Sequence, residues 1–410
     1  MSQEPIVPAP APWSISRWVL ARLTRVTTSG RLVPEIDGLR FVAIMAVVLF
    51  HSHGHFFRVD GQTEGPTWDA ASALIHLGWF GVQLFFVISG FILAIPFAER
   101  HLLGRPAVPL GKYFVRRLTR LEPPYVISLL IYLFFFQDRA RIHELTPHFF
   151  ASMFYVHAFV YGTPSLVNHV TWSLEVEVQF YILAPLLCTV FAVRRTWLRR
   201  GILLLGILAS AAQQQFLWND FLQLTLVGSV RYFLCGFLLA DFYLVEWKSA
   251  PKRTHAWDLV SAAAWGLLPT LLPPLRSFGR LGEIYLVPLT VLTAYVGAFR
   301  GRAMKWFFSN PWIVAVGGMC YTIYLYHIPY VWRVKQSLGE VRIGTQPRCL
   351  VQLLANALGI IAIGAIYFVL FEKPFMYKDW PQRAWRFVTR RRPAAAPAPV
   401  APLGNGVSSK

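Results

Sequence analysis

The sequence predicts an all-α, polytopic membrane protein: one bundle of about ten transmembrane helices with both termini in the cytoplasm. Three observations carry that prediction. Of 410 residues, 55% are hydrophobic and only 14% charged. Ten apolar windows are long enough to cross a hydrocarbon core about 30 Å thick, which needs roughly 20 residues of helix. The basic residues are also shared unevenly between alternate loops. The formal charge is +19, from 39 Lys and Arg against 20 Asp and Glu. A nucleic-acid binder of that charge would carry Lys and Arg over whole faces, and a disordered basic chain would lack 32 Phe, 15 Trp and 16 Tyr. Nucleic acid is therefore not expected as a partner; the lipid bilayer is.

Residues 1–33 form a cytoplasmic N-terminal segment. Its Pro-rich start and Arg-punctuated stretch 13–26 lack the continuous apolar core of a signal peptide. On a helical wheel Ile15, Val19, Leu20, Leu23 and Val26 gather on one side, with Arg17, Arg22 and Arg25 on the other. That pattern predicts an amphipathic helix along the inner membrane surface. The spans follow at 36–56, 72–96, 120–136, 172–193, 201–217, 224–246, 257–273, 281–299, 312–332 and 349–371, within a membrane domain of 34–375. The window 257–273 has the weakest signal.

With ten spans, loops on the side of the termini hold 27 of the basic residues and the opposite loops hold 9. The remaining three, Arg40, Arg120 and Arg231, fall inside spans. Basic loops stay in the cytoplasm, so both termini are placed there, in a multi-pass protein of the cytoplasmic membrane. Residues 376–410 read as a basic, then Ala/Pro-rich, disordered cytoplasmic tail without a second catalytic domain. The four cysteines, Cys188, Cys235, Cys320 and Cys349, lie far apart with no CxxC spacing and read as packing residues. No internal repeat is evident, which disfavours inverted-repeat transporter folds.

Ionisable groups inside a span are costly and mark candidate sites. Arg40 and His51 are eleven residues apart, within about 20° of one helix face and about 16 Å apart along it. Snorkelling of Arg40 and a hydrogen-bonded interior His51 are the alternatives to function. His51 and His55 can share a face but His53 points away, so no metal is expected. Glu175 and Glu177 are offset by about 200°, so only one of them faces a given partner. A carboxylate opposite His51 would orient and stabilise the imidazolium; an interhelical polar clamp is the alternative. Arg116, Arg117 and Arg120 suit either anionic lipid or phosphate. His327 follows Tyr324 by three residues and reads as an interior histidine or a substrate contact. Ser89, beside Gly90, reads as a small packing residue unless a base adjoins it.

Taken together, DGLRFVAIMAVVLFH, GVQLFFVISGFIL, RRLTRLEPPY, WSLEVEVQFY, RYFLCGFLLA, YTIYLYHIP and FEKPF resemble, in order, the motifs of the acyltransferase family 3 membrane proteins. The likeness runs from about Pro34 to Pro374. It implies an O-acyltransferase that takes an acyl group, acetyl by family frequency, from acyl-coenzyme A as co-substrate. The acceptor it implies is a hydroxyl of an extracytoplasmic or membrane-presented carbohydrate or glycolipid. By the same resemblance His51 and Glu177 are the catalytic residues, and Arg40, Arg117 and Arg120 meet the donor. Glu175 sits where the family has a small apolar residue, so no role passes to it. No counterpart is expected of the periplasmic esterase-like domain that some members append. That leaves the membrane core to act alone or with a partner, such as envelope glycan assembly proteins. The alternative from another class is a transporter or flippase for a lipid-linked or anionic glycan, with His51 relaying protons. A membrane scaffold for a polysaccharide complex is a third.

Overall fold

The computed structural model describes residues 14–27, 32–56, 70–217, 219–273, 277–338, 346–377 and 379–389, and all regular structure among them is helical. Twelve helices build the bundle. They are α1 (Ile15–Leu23), α2 (Pro34–Phe56), α3 (Gly81–Leu103), α4 (Leu110–Ile131), α5 (Trp172–Leu187), α6 (Thr196–Phe216), α7 (Leu226–Asp241), α8 (His255–Leu271), α9 (Val287–Arg300), α10 (Pro311–Gly318), α11 (Cys320–Leu338) and α12 (Gln346–Tyr367). Shorter turns connect them, among them the helices Ile142–Met153 and His157–Tyr161 between α4 and α5.

Among the described residues seven stretches are long and apolar enough to cross a membrane: Pro34–Gly54, Ala73–Leu103, Leu110–Phe136, His169–Ala192, Asp220–Glu246, Gly279–Arg300 and Val351–Met376. This is a multi-pass membrane protein. The three other expected windows are helical but differ in character. α6 carries Arg199 and Arg200 near its start and Gln213, Gln214 and Gln215 in its last turn, which shortens its apolar centre. α8 has only 17 residues. The window 312–332 is split at Met319 into α10 and α11, and α11 carries Arg333 and Lys335 at its end.

Helices in lipid gain little from burying apolar surface against each other, so close contact depends on small residues. The crossing of α3 and α7 illustrates this. A Cβ on Gly90 would run into the Phe233 carbonyl, and one on Gly236 into the Val87 carbonyl. The two backbones touch there, and Phe233 is left to stack on Phe180 at 3.9 Å and on Phe86 at 4.8 Å between ring centroids. On the outside Ile182, Leu186, Leu205 and Leu358 are exposed, as lipid-facing residues are.

The basic ends are clamped. Asp241, fully buried at the end of α7, pairs with Arg199 and with Arg200 of α6, the latter at 2.7 Å. α1 forms where the wheel places it, and Leu23 and Val26 pack on the core. Arg25 departs from the wheel: it leaves the wet side and pairs with buried Asp37 at 2.8 Å. Lys373 donates to the Ala21 and Arg22 carbonyls at 3.0 and 2.6 Å, satisfying the C-terminal end of α1. Within the expected tail, residues Trp380–Val388 are helical, while 390–410 lie outside the described residues.

Candidate functional site

Four of the five expected site residues line one cavity. Arg40 reaches it from α2, Arg117 and Arg120 from α4, and Glu177 from α5, together with Ser89, Tyr181, Tyr324 and Glu372. Arg117 and Arg120 share a face because they are three residues apart. The Arg117 guanidinium lies over the Tyr181 and Tyr113 rings, at 5.6 and 5.9 Å from their centroids. Arg120 has no carboxylate within ion-pair distance among the described residues.

The two glutamates of WSLEVEVQFY part company. Glu175 is fully buried and accepts the Ala158 backbone N–H at 2.9 Å, tying the loop before α5 to the bundle. Glu177, two residues on, faces the cavity and accepts a 2.5 Å hydrogen bond from Ser89 Oγ. Ser89 therefore does adjoin a carboxylate, and its packing role belongs to Gly90.

Arg40 is already partnered. Its Nη1 lies 2.7 Å from Asp37 Oδ1, and Asp37 is shared with Arg25. At the same end Glu372 accepts from Thr322, from its Oγ1 at 2.5 Å and its N–H at 3.1 Å. That carboxylate sits in the first turn of α11, where free N–H groups favour an anion. Counting Arg25 and Asp37, four arginines face three carboxylates around this end of the bundle. The excess is positive, with the Arg117 and Arg120 charges turned to the cavity.

His51 lies apart from that lining. It is half-buried near the end of α2, with the His327 ring of α11 facing it at 5.1 Å between centroids. His327 Nδ1 donates to the Tyr324 carbonyl at 2.7 Å, because a carbonyl only accepts. In the neutral ring Nε2 is then the acceptor. The Tyr324 hydroxyl donates to the Val170 carbonyl and meets Ser173 Oγ, both at 2.7 Å, and its side chain lines the cavity. His51 is thus joined to the cavity through His327 and Tyr324, and the hydrogen bond described for Glu177 goes to Ser89.

Several contributors were not singled out from the sequence. Asp37 stands three residues before Arg40, a spacing that was legible. Glu372 sits in FEKPF, where a carboxylate ending an apolar span was itself a signal. Tyr181 and Tyr324 gave none, since aromatic residues abound in every span. No group of three or more His, Cys, Asp and Glu placed to hold a metal ion occurs among the described residues.

A family model described as an acyltransferase domain matches residues 33–372. The chain is 25% identical over 403 residues to a peptidoglycan O-acetyltransferase of Listeria monocytogenes, covering 90% of this chain and 58% of the relative. It is 22% identical over 395 residues to an O-acetyltransferase of Staphylococcus aureus, covering 89% of this chain and 60% of that protein. The chain thus spans somewhat over half the length of these relatives. No solved structure matches it.

Proposed function

The chain belongs to this acyltransferase family, and from that premise we propose that it moves an acyl group, acetyl in its relatives' chemistry, from acyl-coenzyme A to a hydroxyl of an extracytoplasmic or membrane-presented carbohydrate. The observation that carries this reading is the single cavity that gathers Arg40, Arg117, Arg120 and Glu177 and connects through Tyr324 and His327 to His51. Arg117 and Arg120 hold donor phosphates, as guanidinium groups suit them. Arg40 acts with them from its ion pair with Asp37. His51 takes the proton from the acceptor hydroxyl as its oxygen attacks the thioester carbonyl. The C–O bond forms, the C–S bond breaks, and the thiolate leaves with the proton returned by the imidazolium. Glu177 supplies the negative charge that offsets the developing cation.

The same reading keeps ten spans with both termini cytoplasmic in the inner membrane. The loop charges favour it, and α6, α8 and the α10–α11 pair supply the three helices beyond the seven. Within it, 34–375 is the catalytic unit, α1 lies on the membrane surface, and envelope glycan assembly proteins are the partners. The name of the Listeria relative makes peptidoglycan the first acceptor to try. The Ser89–Glu177 bond favours one variant mechanism, in which Ser89 Oγ attacks the thioester, Glu177 passes its proton to the thiolate as the C–S bond breaks, and the acceptor hydroxyl then displaces the serine oxygen and returns its proton to it.

The test is thiol release from acetyl-coenzyme A, with acetyl appearing on glycan, by the purified full chain in lipid nanodiscs. A positioned base contributes about 10²–10⁴-fold, so His51→Ala should lose that much while keeping its thermal transition. Near-normal transfer by His51→Ala removes His51 as the base. Glycan movement without any thiol release would make the protein a transporter or flippase instead.

A further inference from the structure

A second cavity opens at one end of the same bundle. It is lined by Trp79, Gln83, Trp172, Gln214, Arg231 and Glu283, among other polar and apolar residues. Its volume is about 220 Å³, on the order of seven water volumes and more than a packing defect. α3, α5 and α7 begin here and α6 ends here. These helix ends face the side opposite the basic loops.

The buried polar atoms on its lining without a hydrogen-bond partner among the described residues include Gln83 Oε1, Gln214 Oε1 and Arg231 Nε. Arg231 is only 5% exposed, and its Nη1 is already used on the Gly228 carbonyl at 2.9 Å. Two acceptors and one donor thus belong to side chains that line one chamber, and buried polar groups are ordinarily satisfied. A hydroxyl both donates and accepts, so a polyhydroxylated ligand satisfies all three. The two indoles add flat apolar faces with a polar edge, which suit the C–H faces of a pyranose ring. With one arginine and one glutamate, the lining holds no excess charge for a phosphate-bearing donor.

The placement ties this chamber to the first. Gln83 and Ser89 are six residues apart on α3, and Trp172 and Glu177 five apart on α5, so the two cavities are separated by about 7–9 Å along shared helices. Ser173, beside Trp172, meets the Tyr324 hydroxyl that reaches toward His327. We infer that this chamber is the acceptor subsite and holds one neutral hexose or N-acetylhexosamine unit, with a hydroxyl directed toward the donor cavity. This rests on the acyltransferase reading for its role, but not for its binding chemistry.

The experiment is saturation-transfer NMR on the full chain in nanodiscs with three neutral probes: chitotetraose, maltotetraose and mannotetraose. At least one probe should receive saturation on its ring protons. The Gln83→Leu/Gln214→Leu variant should cut that signal at least tenfold, with the KM for acetyl-coenzyme A held within twofold. If the double variant loses its thermal transition, Gln83→Met/Gln214→Met, close in length and without the amide oxygens, carries the same comparison. No signal from any probe on the wild-type protein, or a signal that survives the substitutions, overturns the subsite. Glycan binding that depends on these residues, in a protein that releases no thiol, would overturn the acyltransferase reading and leave the subsite standing.

Discussion

Ser89 Oγ donates a 2.5 Å hydrogen bond to Glu177 Oε1, joining the centre of α3 to α5 inside the bundle. The bond depends on the neighbouring glycine: Gly90 lets α3 press on α7, and that contact fixes the turn from which Ser89 points the other way. A hydrogen bond to a charged group contributes about 1.5–3 kcal/mol. If Glu177 works by offsetting charge in the transition state, Ser89→Ala should lower kcat about 10- to 100-fold, since about 1.4 kcal/mol is tenfold. The KM for acetyl-coenzyme A should not move. Steady-state thiol release checks this, and a parallel trap with labelled donor separates the two mechanisms. Stable label on wild-type protein that is lost in Ser89→Ala would identify an acyl-serine instead of a positioning role.

Arg40 and Arg120 line the same cavity but stand in different electrostatic settings. Asp37 is fully buried and divided between Arg40 and Arg25. Removing one partner from a buried ion pair costs about 3–5 kcal/mol, and the remaining Arg25 places Arg40→Ala near the lower end. That variant should therefore lose thermal stability together with donor affinity. Arg40→Ala combined with Asp37→Asn should recover much of the stability and none of the affinity. Arg120→Ala should raise the donor KM about tenfold, one charge-assisted contact, and leave the melting temperature nearly unchanged. Thermal scans beside donor titrations decide it: equal stability losses in both single variants would show that Arg120 is structural.

What could be read in advance follows from periodicity. The first span was expected at 36–56 and α2 runs Pro34–Phe56. The offset of Glu175 and Glu177 foretold their divergence, and the three-residue spacing of Arg117 and Arg120 their common face. Periodicity gives the face of a helix but not the helix opposite it. Ser89 and Glu177 are 88 residues apart, and Thr322 and Glu372 are 50 apart. Arg25 shows the same limit within one segment, because a wheel cannot see that Asp37 of α2 lies within ion-pair reach. The three helices with polar ends or breaks also show that apolar length alone does not mark every helix of this bundle.

The loop between α4 and α5 carries its own pH dependence. His157 is fully buried there, with Nδ1 donating to the Thr163 carbonyl at 3.0 Å and its Nε2 2.9 Å from His148 Nδ1. The Tyr161 ring lies against both histidines, at 4.7 Å from His157 and 4.1 Å from His148. Burial lowers the His157 pKa from its ordinary 6.5, the Thr163 bond opposes this, and the His148 charge adds to it. The opened loop therefore binds the proton more readily than the closed one, so closure is favoured most above pH 6.5 and weakens as pH falls below it through the lowered folded value. Hydrogen exchange of residues 148–163, corrected for intrinsic rate, should show protection falling between pH 7.5 and 5.5. His157→Gln should flatten that change. Because Glu175 anchors the loop at the Ala158 N–H, opening should begin around His148 and Thr163 and reach Ala158 last. Uniform exchange across the loop would mean that the anchor and the histidine pair open together.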